Sequence, residues 1–190
     1  EWTYENPERV IVKQVYETIP LSGVFDGIRE IEIRTSSPIT PLSINNEFLY
    51  WVTDKTLVAF NFKIRKKVWE YYFGGTEGDV KSPSVGLNGE IYITIGGMPN
   101  SHSVSSQLIS LNGMTGEKNW DKYILGEAIE GWGRNKSSLT KPAIAEDGTV
   151  YASTTNRMYA FKNEDGEIIW EFNAQDNEIA NGSSLSSPAI

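Results

Sequence analysis

The chain has 190 residues, 39% hydrophobic and 12% aromatic, enough apolar side chain to bury a sizeable core, which excludes an intrinsically disordered segment. Its 25 acidic residues outweigh 17 lysines and arginines, a formal charge of -8 that repels a phosphate backbone, and the only cationic run, Arg65-Lys66-Lys67, reads as a solvated turn, so no nucleic-acid partner is expected. The absence of cysteine excludes disulfides, thiolate metal sites and cysteine nucleophiles, and no apolar run approaches the roughly 20 residues that span a bilayer.

In chain order, the opening "EWTYENPERV" has no signal-peptide architecture, so any targeting segment is expected to have been removed or never to have existed. Residues 1–39 read as an irregular N-terminal β segment. "IREIEIRT" (28–35) alternates apolar and charged residues as a half-exposed strand does, "RVIVKQVYE" (9–17) is a partner strand, and Trp2-Thr3-Tyr4 resembles the end of the units that follow.

From residue 40 the chain repeats itself. "TPLSINNEFLYWV" from Thr40, "SPSVGLNGEIYIT" from Ser82 and "KPAIAEDGTVYAS" from Lys141 each place a proline (Pro41, Pro83, Pro142) nine residues before a tyrosine (Tyr50, Tyr92, Tyr151). A tryptophan follows the tyrosine by 19 residues in the first and third copies (Trp69, Trp170) and by 28 in the second (Trp120), whose extra nine residues come from "GGMPNSHSVSS" (96–106). "SSPAI" (186–190) starts the unit again.

Each copy reads as four short strands. Asn88-Gly89 and Asp147-Gly148 suit the positive φ angles of a tight first hairpin. The third strand is the apolar run 57–60, 108–111 or 158–161, and the fourth holds the tryptophan. A small residue (Ala59, Ser110, Ala160) ten positions before each tryptophan leaves room for a ring, and Gly116 and Gly166 suit a left-handed residue in the last turn; the first copy has Arg65 there, so its turn is expected to differ. Four antiparallel strands repeated every 40 to 60 residues or so describe a β-propeller blade. The expected fold is therefore all-β, a β-propeller of four-stranded antiparallel blades: residues 40–80, 81–139 with an inserted loop, 140–185, and 186–190 as the first strand of a further blade, with 1–39 part of a preceding one. Trp69, Trp120 and Trp170 are expected in equivalent, largely buried sites between blades.

"SLNGMTGEKNW" (110–120) resembles the tryptophan-docking repeat of the quinoprotein-like, or PQQ-like, β-propellers, and the first hairpins look like the same family, so the resemblance covers residues 40–190. Lys162 stands where the pattern has Asn or Asp, and Arg65 where it has Gly. The resemblance implies an extracytoplasmic protein (periplasmic, cell-surface or secreted) similar in repeat type to bacterial envelope scaffolds. The quinoprotein dehydrogenases of this fold set an adjacent cysteine pair against the quinone and hold a calcium ion; this chain has no cysteine, and no cofactor and no metal is expected.

Candidate chemistry is sparse. His102, the only histidine, lies in the inserted loop with no nucleophile and carboxylate arranged around it, so it reads as an exposed loop residue. "NEDGE" (163–167) lacks the ligand spacing of an EF-hand and reads as a hairpin turn. "GEAIEGWGRNKSS" (126–138) is longer than a blade connection requires and is expected on the same face as the 96–106 insertion. In it Trp132, flanked by Gly131 and Gly133, either folds over the blade edge or joins Arg134 and His102 in a partner-binding surface. The expected function is a non-enzymatic binding or scaffold module presenting loops to a protein or glycan; the alternative is a fragment of a quinoprotein-type dehydrogenase or other propeller enzyme. Three recognisable copies fall short of a closed ring, so the expectation is a piece of a larger propeller or, if the chain is complete, a homodimer.

Overall fold

A computed structural model describes residues 43–45, 47–74, 78–99, 104–125, 138–174 and 187–188, all within the second of two compact units, Pro41–Ile190. The expectations for residues 1–39, Trp2-Thr3-Tyr4 included, lie outside the described residues, as does "SSPAI" apart from Ser187 and Pro188, which are not in a strand.

The described residues form thirteen strands and no helix. The first sheet is β1 (Ser43–Ile44), β2 (Phe48–Thr53), β3 (Thr56–Asn61) and β4 (Lys66–Tyr72), antiparallel and in chain order. "FLYWVT" and "TLVAFN" combine aromatic and β-branched residues that fill a pleated, buried surface. Between them Asp54 (φ 46°) and Lys55 (φ 58°) form a two-residue loop with both residues left-handed, the type I′ geometry whose twist matches the strands. The third sheet, β10 (Ala143–Ile144), β11 (Val150–Ser153), β12 (Arg157–Phe161) and β13 (Ile168–Asn173), has the same order. The second sheet has β7 (Glu90–Pro99), β8 (Val104–Asn112) and β9 (Lys118–Leu125), with its first strand broken into β5 (Asp79–Val80) and β6 (Ser84–Val85), both paired to β7.

The first hairpins are not alike. Gly89 (φ 86°) and Gly148 (φ 88°) close three-residue loops, in which Gly89 N–H donates to Gly86 O at 3.1 Å and Gly148 N–H to Ala145 O at 2.9 Å. Ser84 then faces Tyr92 and Ala143 faces Tyr151, but in the first copy Ser43 faces Tyr50, one residue nearer. There Asn45 Oδ1 accepts from the N–H groups of Glu47 (3.2 Å) and Phe48 (3.1 Å), a glycine-free turn. Equal spacing from Pro41 therefore overstates the match: Leu42 precedes Ser43 in the chain, where Pro83 and Pro142 precede Ser84 and Ala143.

The last turns are more alike than the residues suggest. Each pair of strands slips register just after the small residue, at Ala59/Phe60, Ser110/Leu111 and Ala160/Phe161, and Arg65 (φ 55°) is left-handed like Gly116 (φ 75°) and Gly166 (φ 72°). The expectation that Arg65 changes its turn is thus corrected: the geometry is kept at about 1–2 kcal/mol for a left-handed non-glycine, offset by Asn61 Oδ1 accepting from Lys63 and Ile64 N–H (3.0 and 3.1 Å). Asn112 does the same for Met114 and Thr115 (2.9 and 3.1 Å). Lys162 has no acceptor to offer, yet Gly166 N–H still reaches Lys162 O at 3.1 Å, as Gly116 N–H reaches Asn112 O at 2.8 Å.

Two apolar layers join the sheets. Phe48, Tyr50, Val52 and Leu57 meet Ile91, Ile93, Ile95, Ile109 and Leu111 between the first and second sheets. Tyr92, Leu108, Trp120 and Ile124 meet Val150, Ala152, Tyr159 and Phe161 between the second and third. The opposite face of the first sheet is also buried, with Leu49 and Trp51 at 0% exposure. Near the first strands, Ser43 Oγ donates to Pro83 O and Ser84 Oγ to Pro142 O at 2.6 Å.

At the other rim the tryptophans hold blade to blade. Ala59, Ser110 and Ala160 lie directly across the ladder from Trp69, Trp120 and Trp170, and each ring packs on the tyrosine of its own sheet (Tyr50, Tyr92, Tyr151) at centroid distances of 5.9, 6.0 and 5.8 Å. Trp69 Nε1 donates to Gly113 O in the second sheet at 2.9 Å, and Trp120 Nε1 to Asn163 O in the third at 2.8 Å. A Cβ on Gly116 would stand 2.7 Å from the Trp69 ring, and one on Gly166 would stand 2.6 Å from that of Trp120, so glycine is required on steric as well as conformational grounds. The expectation of three equally buried rings holds for two at most: Trp120 is 9% exposed and Trp69 half-buried, but Trp170 is 41% exposed, because among the described residues no following turn lies against it.

Tyr50 carries a pH consequence. Its hydroxyl donates to Gly113 O at 3.1 Å and accepts from Asn45 Nδ2 at 3.2 Å, and burial pushes the phenol up from 10.0 to about 12. Burial raises Tyr92 too, helped by the charge of Glu90. Because the folded state keeps its proton longer than the unfolded state, this stability is complete below pH 10 and is lost as pH rises toward about 12. Urea midpoints measured from pH 8 upward are expected to fall across that window, and Tyr50→Phe to fall less steeply.

Candidate functional site

The 96–106 insertion is less of a loop than the sequence implies. It lengthens two strands: β7 continues to Pro99 and β8 starts at Val104, paired as Met98 with Ser105 and Pro99 with Val104 after a bulge beyond Ile95. Gly96 falls in that bulge, where β7 is bent away from regular pairing. Only residues 100–103 separate the two strands.

The second long connection is anchored beside this hairpin. Leu139 N–H donates to Ser106 Oγ at 3.1 Å, Thr94 Oγ1 donates to Thr140 O at 2.8 Å, and a Cβ on Gly96 would fall 1.6 Å from Ser138 Oγ, so the backbone at 138–140 rests on the base of the hairpin. Leu139 itself is wholly buried. On the incoming side, Leu125 at the end of β9 pairs with Ser105. Leu125 and Ser138, which flank residues 126–137, are therefore both held on the extended hairpin. The candidate contacts Trp132, Arg134 and His102 lie outside the described residues.

On the opposite rim is a groove that sequence reasoning missed, an open cleft of about 590 Å³ lined by residues including Asn88, Glu90, Asn112, Asn119, Asn163 and Glu164. Its walls are turns from two different sheets, so no single stretch of sequence displays it. Asn112 is committed to its own turn and Asn119 Nδ2 donates to Ser110 Oγ at 3.1 Å, which leaves a neutral-to-acidic polar surface. Among the described residues no group of three or more His, Cys, Asp or Glu side chains is placed to hold a metal ion. The Gln107–Asp121–Lys118 chain on β8 and β9 (2.7 and 2.6 Å) holds the Asp121 carboxyl below its usual range, chiefly through the lysine, and braces the strands.

The family model described as outer membrane protein assembly factor BamB matches residues 53–190. The chain belongs to that family of PQQ-like β-propeller repeat proteins. Two solved quinohemoprotein structures agree on the fold. A quinohemoprotein alcohol dehydrogenase from Pseudomonas putida HK5 is similar at 15% identity and a TM-score of 0.51 over 70% of this chain and 26% of its own. One from Comamonas testosteroni is similar at 16% and 0.50 over 72% and 21%. BamB from Moraxella catarrhalis, at 17% identity and a TM-score of 0.49, is covered over 82% of this chain and 38% of its own. The chain thus spans well under two thirds of the length of these proteins. Among curated proteins, no sequence matches it.

Proposed function

We propose that the chain is a non-enzymatic scaffold module of a propeller outside the cytoplasm, and that it presents the face bearing the extended β7–β8 hairpin and the 126–137 connection to a protein partner. The observation that carries this reading is the anchoring of the backbone that follows that connection: Ser138, Leu139 and Thr140 are fixed on the hairpin through Gly96, Ser106 and Thr94. Binding residues held on a rigid scaffold lose little entropy when they engage. Trp132 and Arg134 are the residue types that serve as interface anchors, and His102 belongs to the 96–106 insertion. The family's description as an assembly factor for outer-membrane proteins favours a protein over a glycan, and a place in the bacterial envelope.

The test is site-specific photocrosslinking from position 132 or 134 in cells that produce the chain, followed by affinity measurement with the protein captured. Trp132→Ala and Arg134→Ala are each expected to weaken binding by about tenfold, the 1.4 kcal/mol of a moderate hot spot. Capture of glycan alone, or unchanged affinity in both variants, defeats the proposal.

A further inference from the structure

Three asparagines in the chain precede a glycine: Asn88, Asn112 and Asn181, the last outside the described residues. Without a Cβ on the following residue, the backbone nitrogen of such a pair reaches the side-chain amide carbon more readily than before any larger residue. Both described pairs follow a leucine, Leu87 and Leu111, and both asparagines are exposed at turns of the second sheet, so neither local sequence nor exposure separates them. Their hydrogen bonds do.

The Asn112-Gly113 pair is pinned from both sides. Asn112 Oδ1 accepts from Met114 and Thr115 N–H at 2.9 and 3.1 Å, and its backbone carbonyl accepts from Gly116 N–H at 2.8 Å. Gly113 O accepts from Trp69 Nε1 at 2.9 Å and from the Tyr50 hydroxyl at 3.1 Å. Turning the side chain and the peptide plane toward ring closure breaks these bonds together. Asn88-Gly89 has no such hold: Gly89 N–H donates to Gly86 O at 3.1 Å, and the Asn88 side chain has no hydrogen-bond partner among the described residues. Asn88 lines the open groove whose two walls belong to the second and third sheets. A single backbone bond at the tip of a hairpin opens far more often than a strand does.

We propose that Asn88 is a site of spontaneous deamidation, that the blade-to-blade contacts of Gly113 protect Asn112 from the same reaction, and that isoaspartate formed at position 88 loosens the joint between the first and second sheets. Gly89 N, its proton lost to solvent, bonds to Asn88 Cγ. The Cγ–Nδ2 bond breaks, and the nitrogen leaves as ammonia with a proton from water. Water then adds to one carbonyl of the five-membered imide. Breaking the bond from Cγ to Gly89 N gives aspartate, and breaking the bond from the Asn88 backbone carbonyl carbon to Gly89 N gives isoaspartate; water is the only co-reactant.

The two products act differently on the fold. Aspartate leaves the main chain as it was, and the matching hairpin of the third sheet already carries Asp147-Gly148 with nearly the same glycine φ, 88° against 86°. Isoaspartate adds a methylene to the main chain immediately before Gly89. The carbonyl oxygen of Gly89 lies so close to Gly113 that a Cβ there would stand 2.1 Å from it. Gly113 is the acceptor for Trp69 and Tyr50, so a lengthened backbone at 88–89 displaces the turn on which the first sheet docks. The inference does not depend on the partner-binding reading, which concerns the opposite rim.

The test ages the 190-residue chain in mildly alkaline, heavy-oxygen water, folded and in concentrated urea, and follows label incorporation at each asparagine by peptide mass spectrometry. In the folded chain, conversion at Asn88 is expected to outrun that at Asn112 by at least about tenfold, and in urea the two rates are expected to converge, because the protection is structural. Equal rates in the folded chain, faster conversion at Asn112, or a difference that persists in urea overturns the proposal. Isoaspartate at position 88 is scored by methylation with a protein isoaspartyl methyltransferase, and its absence from the converted chain also counts against the proposal. For the joint, the urea midpoint of the chain is expected to fall on ageing, whereas Asn88→Ser aged alongside and fresh Asn88→Asp keep the midpoint of their unaged or parent chains. A midpoint that stays constant while isoaspartate accumulates at 88, or one that falls equally in Asn88→Ser, overturns the link to the Gly113 turn.

Discussion

Replacing Trp120 with alanine is expected to lower the unfolding free energy by about 3 to 5 kcal/mol, the range for removing a large buried aromatic. Three losses combine: the apolar ring between Tyr92 and the third sheet, the bond from Nε1 to Asn163 O at 2.8 Å, and the contact with the backbone at Gly166. The carbonyl of Asn163 is left to water or to nothing, which adds to the cost. Trp170→Ala removes a ring of the same size with 41% exposure and no docked turn among the described residues, and is expected to cost no more than about 2 kcal/mol. Trp69→Ala falls between them. Urea denaturation with the slope checked for constancy measures all three. Equal losses at 120 and 170 would mean that the stabilisation comes from the tyrosine–tryptophan contact within each blade rather than from the dock onto the next.

How much of this was legible beforehand depends on where each interaction is encoded. The small residue and the tryptophan of each blade recur ten positions apart, and the tyrosine stays across the ladder from the small residue even where nine residues are inserted between them, so the blade and its internal contacts are legible in the spacing. Burial of the tryptophan could not, because its cover belongs to the following unit: sequence treats Trp120 and Trp170 alike, and the structure separates them. Arg65 misled for a related reason. Its residue type argues against a left-handed turn, but Asn61, four positions earlier, supplies the side-chain acceptor that keeps the turn in place. The insertion is legible by its length but not by its conformation, since "GGMPNSHSVSS" has the glycines, serines and proline of a loop; pairing across the bulge nevertheless carries the strands to Pro99 and Val104. The groove at Asn88 and Asn163 joins turns about 75 residues apart and has no signature in either. Trp132, Arg134 and His102 stand out in the sequence by residue type and loop position alone.

Gly166→Ala is the second large effect, and its size separates two reasons for a glycine. A methyl group at φ 72° carries the left-handed cost of about 1–2 kcal/mol, and its Cβ would meet the Trp120 ring at 2.6 Å, an overpacking worth about 1–3 kcal/mol more. A loss of about 2 to 5 kcal/mol is expected. Gly148→Ala is the control, since φ is 88° there but the nearest atom is Asn163 Nδ2 at 2.9 Å, the movable end of a side chain, so only the backbone cost should appear. Arg65 shows that this kind of turn survives with a Cβ at φ 55°, which places most of the Gly166 penalty on the indole rather than on the backbone. The double mutant decides between them: with Trp120→Ala already present there is no ring to strike, and Gly166→Ala should then cost about as much as Gly148→Ala, leaving a coupling of about 1–3 kcal/mol between positions 120 and 166. Strict additivity would place the whole penalty in the turn and none of it on the indole.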